Sequence, residues 1–176
     1  MDVQFSVNLN QIIELNEREQ SLLLSVVLRY SWRDDYMTWY PEMHGGIDQI
    51  VVRAEDVWTP DIFLANSEAD NFDSKYRTNI LITYKGDALW VPPGLQKSSC
   101  GVEMELFPFD TQICTLRYGS WMYSENFINL QHAYPSQASA RRRRPRRSEF
   151  LKSIFPPFVP LKIAHQSRRP GTTLRI

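Results

Sequence analysis

Five tryptophans, Trp32, Trp39, Trp58, Trp90 and Trp121, stand with eight tyrosines and nine phenylalanines in a chain of 176 residues. Their chemistry is that of the ring face: a quaternary ammonium held over an indole gains about 0.5–2 kcal/mol per contact. Trp32 and Trp121 lie at the ends of strand-like runs beside polar residues, where an indole can leave a face open to a ligand. Trp58, just ahead of Pro60, reads as a core residue. Cys100 and Cys114 bracket thirteen residues whose middle is apolar and carries Pro108.

Nothing in the chain has the spacing of a catalyst. His44, His132 and His165 are scattered, and there is no Cys-x-x-Cys, His-Glu-x-x-His, glycine-rich phosphate loop or Gly-x-Ser-x-Gly elbow. Asp34 and Asp35 are adjacent, but neighbours on a strand point to opposite faces, so the pair reads as a solvated turn. The chain is read as a non-enzyme, with no metal and no cofactor expected.

The elements that must hold the aromatics are strands. In "SLLLSVVLRYSW", Leu22, Leu24, Val26, Leu28, Tyr30 and Trp32 share one parity and Ser21, Ser25, Arg29 and Ser31 the other, which predicts a strand with one buried face. "TNILITYKGDALWV" predicts a hairpin around Lys85-Gly86-Asp87. Pro60, Pro92, Pro93 and Pro108 lack an amide donor and are expected at strand ends or turns. Seven or eight strands in about 130 residues, with no helical period, predict an all-β sandwich or barrel.

Charge divides the chain. Residues 1–130 carry 9 Lys+Arg against 19 Asp+Glu, and 131–176 carry 11 against 1, so a net charge of zero hides −10 and +10. We therefore read 1–131 as a folded β-sandwich body and 132–176 as a disordered Pro/Arg-rich tail. The run Arg141 to Arg147 has no interleaved aromatics and sits beside an acidic body, so no nucleic-acid partner is expected. No window reaches the roughly 18 apolar residues of a membrane helix, and "MDVQFSVNLN" has no signal-peptide pattern.

Five blocks taken in order, "LRYSWRDDYMTW", "WTPDIFLANS", "TNILITYKGDALWVPPGLQKSSC", "CGVEMELFPFDTQIC" and "LRYGSWMY", closely resemble the extracellular ligand-binding domain of the Cys-loop, or pentameric ligand-gated, ion channels. Among these the likeness is to nicotinic acetylcholine receptor subunits. The resemblance implies an all-β, immunoglobulin-like sandwich, a disulfide between Cys100 and Cys114, and a rigid coupling finger of Phe107, Pro108, Phe109 and Asp110 that rests on a membrane domain. Phe107-Pro108 is then the site of a cis bond.

It also implies an agonist site between neighbouring subunits. Trp121 matches the central tryptophan of the principal face, supported by Tyr123, while Trp32 matches the complementary tryptophan, with Leu89 and Val91 in the strand pair opposite. The implied ligand is an acetylcholine-like cation, the implied partners are other subunits of a pentamer, and the implied place is the extracellular face of the cell membrane. The chain departs from the family at Ala65, where a tyrosine is usual, and in having no further cysteine pair. The likeness fades after Gln131, so the last two strands and the membrane helices are expected to be lacking. A soluble, pore-less binding or decoy protein of the same fold is the alternative reading.

Overall fold

The computed structural model describes residues 1–69, 75–102, 111–133 and 159–166, the last stretch by its backbone. Phe107, Pro108, Phe109, Asp110 and the arginine run 141–147 lie outside the described residues.

Ten strands occur among the described residues: β1 (Asp2–Asn16), β2 (Ser21–Thr38), β3 (Gln49–Val52), β4 (Ile62–Leu64), β5 (Ile80–Thr83), β6 (Lys85–Trp90), β7 (Pro93–Ser99), β8 (Thr111–Ser120), β9 (Asn129–His132) and β10 (Val159–Gln166). The helical element among them is a single 3₁₀ turn, Pro41–His44. The larger sheet runs β3-β5-β6-β2-β1-β9, with β7 also paired to β2, and the smaller runs β10-β8-β4. The fold is an all-β sandwich.

β2 is its spine. Its first half pairs with β7 (Ser21↔Ser99 to Val27↔Pro93) and its second with β6 (Tyr30↔Trp90 to Arg33↔Asp87). Pro92 marks the handover, its carbonyl accepting the Leu28 N–H. Pro93 opens β7, as a residue with no amide to donate should. The even-numbered series from Leu22 to Trp32 is buried throughout and faces Ile62 and Leu64 of β4 and Leu116 and Tyr118 of β8. Each such side chain, fully buried, contributes about 1.5–3 kcal/mol of transfer free energy.

Two polar details sit within this core. The Tyr118 hydroxyl donates to Gln96 Oε1 across the two sheets, and burial raises its pKa above the ordinary value of 10.0, the Gln96 hydrogen bond opposing. Gly86 takes φ +85° at the start of β6, and a Cβ there would run into the Asp34 carbonyl. The hairpin expected around Lys85-Gly86-Asp87 forms, with its turn at Tyr84.

The smaller sheet differs from expectation. Within the segment expected to be a tail, Val159–Gln166 pairs antiparallel along β8, from Val159↔Tyr118 to Gln166↔Thr111. The alternation Val159, Leu161, Ile163 is short and is interrupted by Pro160, which hides it in the sequence. A proline is tolerated at an edge strand because no second neighbour needs its amide. This edge of β8 is thus covered by eight residues of the same chain.

Candidate ligand-binding site

Trp121 stands at the end of the smaller sheet, where β8 gives way to a turn. The strand pairing ends Leu64↔Tyr118, Phe63↔Gly119, Ile62↔Ser120, so Trp121 is the first residue released from the ladder. Asp61, just before β4, holds that release in shape. Its carboxylate accepts the Ser120 hydroxyl at Oδ1 and the Met122 N–H at Oδ2, the latter at 2.9 Å, while Ser120 Oγ accepts the Tyr123 N–H at 3.0 Å. One carboxylate and one hydroxyl therefore fix Ser120, Met122 and Tyr123, the residues on either side of Trp121.

On this clamp the indole of Trp121 is 73% exposed and makes one T-shaped contact, with Phe63 at 5.2 Å. Tyr123, 36% exposed, meets Trp58 at 6.4 Å, and Trp58 meets Trp32 at 6.0 Å, both T-shaped or edge-on. A series of rings runs from the core to the turn.

Trp32 is the core end of that series. It is 4% exposed, opposite Val3 of β1 and Ala88 of β6, so its ring is not available to a ligand brought by a neighbour. The cause is parity: Trp32 continues the buried series of β2, and a strand cannot turn one member of such a series outward without a bulge. The residue expected to meet the ligand is thus placed among the core side chains of this chain.

Leu89 and Val91 lie on the other face. Leu89 is opposite Ser31 and Leu81, out of phase with the buried Ala88 and Trp90, and Val91 is 39% exposed. Val27, Arg29 and Ser31 share that outward parity on β2 and are all half-buried. Trp121 with Tyr123, and Leu89 with Val91, thus form two separate groups on one chain. Asp61, Ser120 and Phe63 were missed in the sequence reading. Their signal is the Pro60-Asp61 pair of "WTPDIFLANS", which places a carboxylate at the mouth of a three-residue strand.

Cys100 and Cys114 are bonded, with Cα atoms 5.0 Å apart, and both are buried. The bond ties the end of β7 to the middle of β8 beside a shallow depression of about 260 Å³ lined by Asn66, Ser99, Thr115 and Arg117. That depression has no aromatic wall and lies apart from Trp121. Among the described residues no group of three His, Cys, Asp or Glu is placed to hold a metal ion, and no helix is long and apolar enough to cross a membrane.

Residues 1–170 match the neurotransmitter-gated ion-channel ligand binding domain, and the bonded pair Cys100–Cys114 agrees with that match. The chain belongs to this family. It is 43% identical over 129 residues to acetylcholine receptor subunit beta-type unc-29 of Caenorhabditis elegans, covering 73% of this chain and 26% of the relative. Acetylcholine receptor subunit alpha-type unc-63 of the same organism is 35% identical over 130 residues, 74% of this chain and 26% of the relative. Acetylcholine receptor subunit beta of Rattus norvegicus is 37% identical over 129 residues, 73% and 26%. The chain spans about a quarter of the length of these relatives. As a ligand-binding domain of a neurotransmitter-gated channel it is a receptor module and no enzyme. The family match extends beyond residue 131, across the 159–166 strand that pairs with β8.

Proposed function

We propose that this domain contributes to an agonist site at the seam between receptor subunits, where it helps bind an acetylcholine-like cation and so control a cation channel. The observation that carries the reading is the exposed indole of Trp121, presented by the Asp61 clamp at the edge of the sandwich. An ammonium over that ring would gain about 0.5–2 kcal/mol, and desolvation at a subunit seam favours the upper end.

Tyr123 supports the turn through Trp58, and Trp32 acts one ring further back as its buried anchor. Leu89 and Val91, on the outward face of the larger sheet, are the surface offered to a neighbour's principal face. Their separation from Trp121 suits a site built from two chains: each subunit would give its indole to one neighbour and its apolar strand face to the other. In the complete receptor the partners are subunits of a pentamer, the domain stands on the extracellular face of the cell membrane, and Phe107, Pro108, Phe109 and Asp110 form the coupling finger. The resemblance and the relatives' names support these last assignments.

Equilibrium binding of acetylcholine and sedimentation, on the full chain alone and mixed with the matching domain of an alpha-type relative, test the reading. Saturable binding in an assembled species is expected, weakened about tenfold or more by Trp121→Ala. No binding in any mixture, or binding indifferent to Trp121→Ala, overturns it.

A further inference from the structure

Lys75 is half-buried and reaches from the larger sheet to the smaller, and nothing in the binding reading uses it. Its backbone forms an isolated bridge with Gly94 of β7, and the next residue, Tyr76, donates its N–H to the Pro93 carbonyl at 2.8 Å. Its ammonium lies 5.5 Å from the ring centroid of Tyr30 and 5.5 Å from that of Trp90. Those two rings, on β2 and β6, are stacked at 5.0 Å. From there Lys75 Nζ donates to the carbonyl of Ile62, on β4 of the smaller sheet, at 3.2 Å.

Ile62 sits next to Asp61 and directly opposite Ser120 in the β4–β8 register. A cation seated on the aromatics of the larger sheet is thus hydrogen-bonded to the strand end from which Asp61 clamps the Trp121 turn. We propose that Lys75 is a positioning residue for the ligand-binding turn, setting the height and tilt of β4, and through Asp61 the direction of the Trp121 indole. The inference rests on the assignment of Trp121 as a ligand contact, but its structural half stands apart from any ligand.

The physical reason a lysine serves here is twofold. A partly buried ammonium needs acceptor partners and an electron-rich surround, and the Ile62 carbonyl with two ring faces supplies both in a fixed direction. An apolar side chain of the same length fills the space but leaves the Ile62 carbonyl without this donor and β4 without this tie to the larger sheet. β4 is three residues long and, among the described residues, pairs with β8, so the Lys75 bond ties it directly to the larger sheet.

The test uses the full chain, labelled with 5-fluorotryptophan, with the Trp121 resonance assigned by its loss in Trp121→Phe. Lys75→Met is expected to shift or broaden that resonance and to weaken tetramethylammonium or acetylcholine binding about five- to tenfold. Lys75→Arg, which keeps a cation over the rings, is expected to restore both. An unmoved Trp121 resonance in Lys75→Met overturns the proposal whatever the ligand result. So does a loss shared equally by both variants in step with a lowered unfolding midpoint, which marks a purely structural lysine. Wild-type protein that binds neither cation, with the resonance still moved by Lys75→Met and restored by Lys75→Arg, instead defeats the ligand assignment of Trp121 and leaves the positioning role standing.

Discussion

The Asp61 carboxylate accepts the Ser120 hydroxyl across the end of the β4–β8 ladder, and the same carboxylate takes the Met122 N–H on the far side of Trp121. Trp121 is bracketed by its own neighbours' hydrogen bonds to one side chain. Asp61→Asn keeps an acceptor for Ser120 but turns the second oxygen into an N–H donor facing the Met122 N–H. We expect a loss of about 1–3 kcal/mol in unfolding free energy and a larger proportional loss of cation affinity. Paired denaturation and binding titrations on the variant measure both. An affinity loss no greater than that of a destabilised control elsewhere would mean that the clamp only stabilises.

Trp32 and Trp121 are expected to separate stability from binding. Trp32→Ala empties a core site and should lower stability by about 3–5 kcal/mol. Trp121→Ala removes a ring that is mostly in solvent and should change stability by no more than about 0.5 kcal/mol. Urea midpoints at fixed m-value decide it, and equal losses in the two variants would show that Trp121 packs in a way its exposure does not reveal.

The Cys100–Cys114 bond closes a loop of 14 residue steps. The chain-entropy relation gives about 3 kcal/mol for a loop of that size. Cys100→Ser with Cys114→Ser should lower the unfolding free energy by about that amount. Because both sulfurs are buried, mild reductant should leave the native bond intact at concentrations that reduce it in urea. Thiol alkylation followed by mass spectrometry reads the outcome.

Tyr118 predicts an alkaline limit. Burial raises its pKa, so above the ordinary value of 10.0 the unfolded chain gives up a proton that the folded chain retains. Stability is fully present below that pH and falls as pH rises, by up to about 1.4 kcal/mol per unit for one proton. Tyr118→Phe should flatten this part of the profile relative to wild type. Parallel slopes for the two proteins between pH 10 and 11 would show that the hydroxyl is not the group responsible.

Much of this was legible in the residues. β2 announced itself because six large apolar residues share one parity, and the β5–β6 hairpin because Gly86 supplies a backbone conformation that other residues resist. The same parity placed Trp32 in the core, against the motif likeness that turned it toward a ligand; packing of a whole strand face outweighs the preference of one ring. Asp61 was quoted in a motif but had no visible role, since its partners lie about 60 residues away and only folding brings them within reach. β10 was hidden because an edge strand needs only one neighbour, and so can be brief, interrupted by Pro160 and flanked by arginines.

That late strand has a consequence for biosynthesis. β8 ends at Ser120 and β10 begins at Val159, so 38 residues must emerge from the ribosome before the outer border of β8 can be covered. At about 5–20 residues per second this is an interval of several seconds. During it the nascent domain displays an open row of amides and carbonyls next to its newly made cysteine bridge, a window in which chaperones or a sister chain can reach the strand before its own partner does.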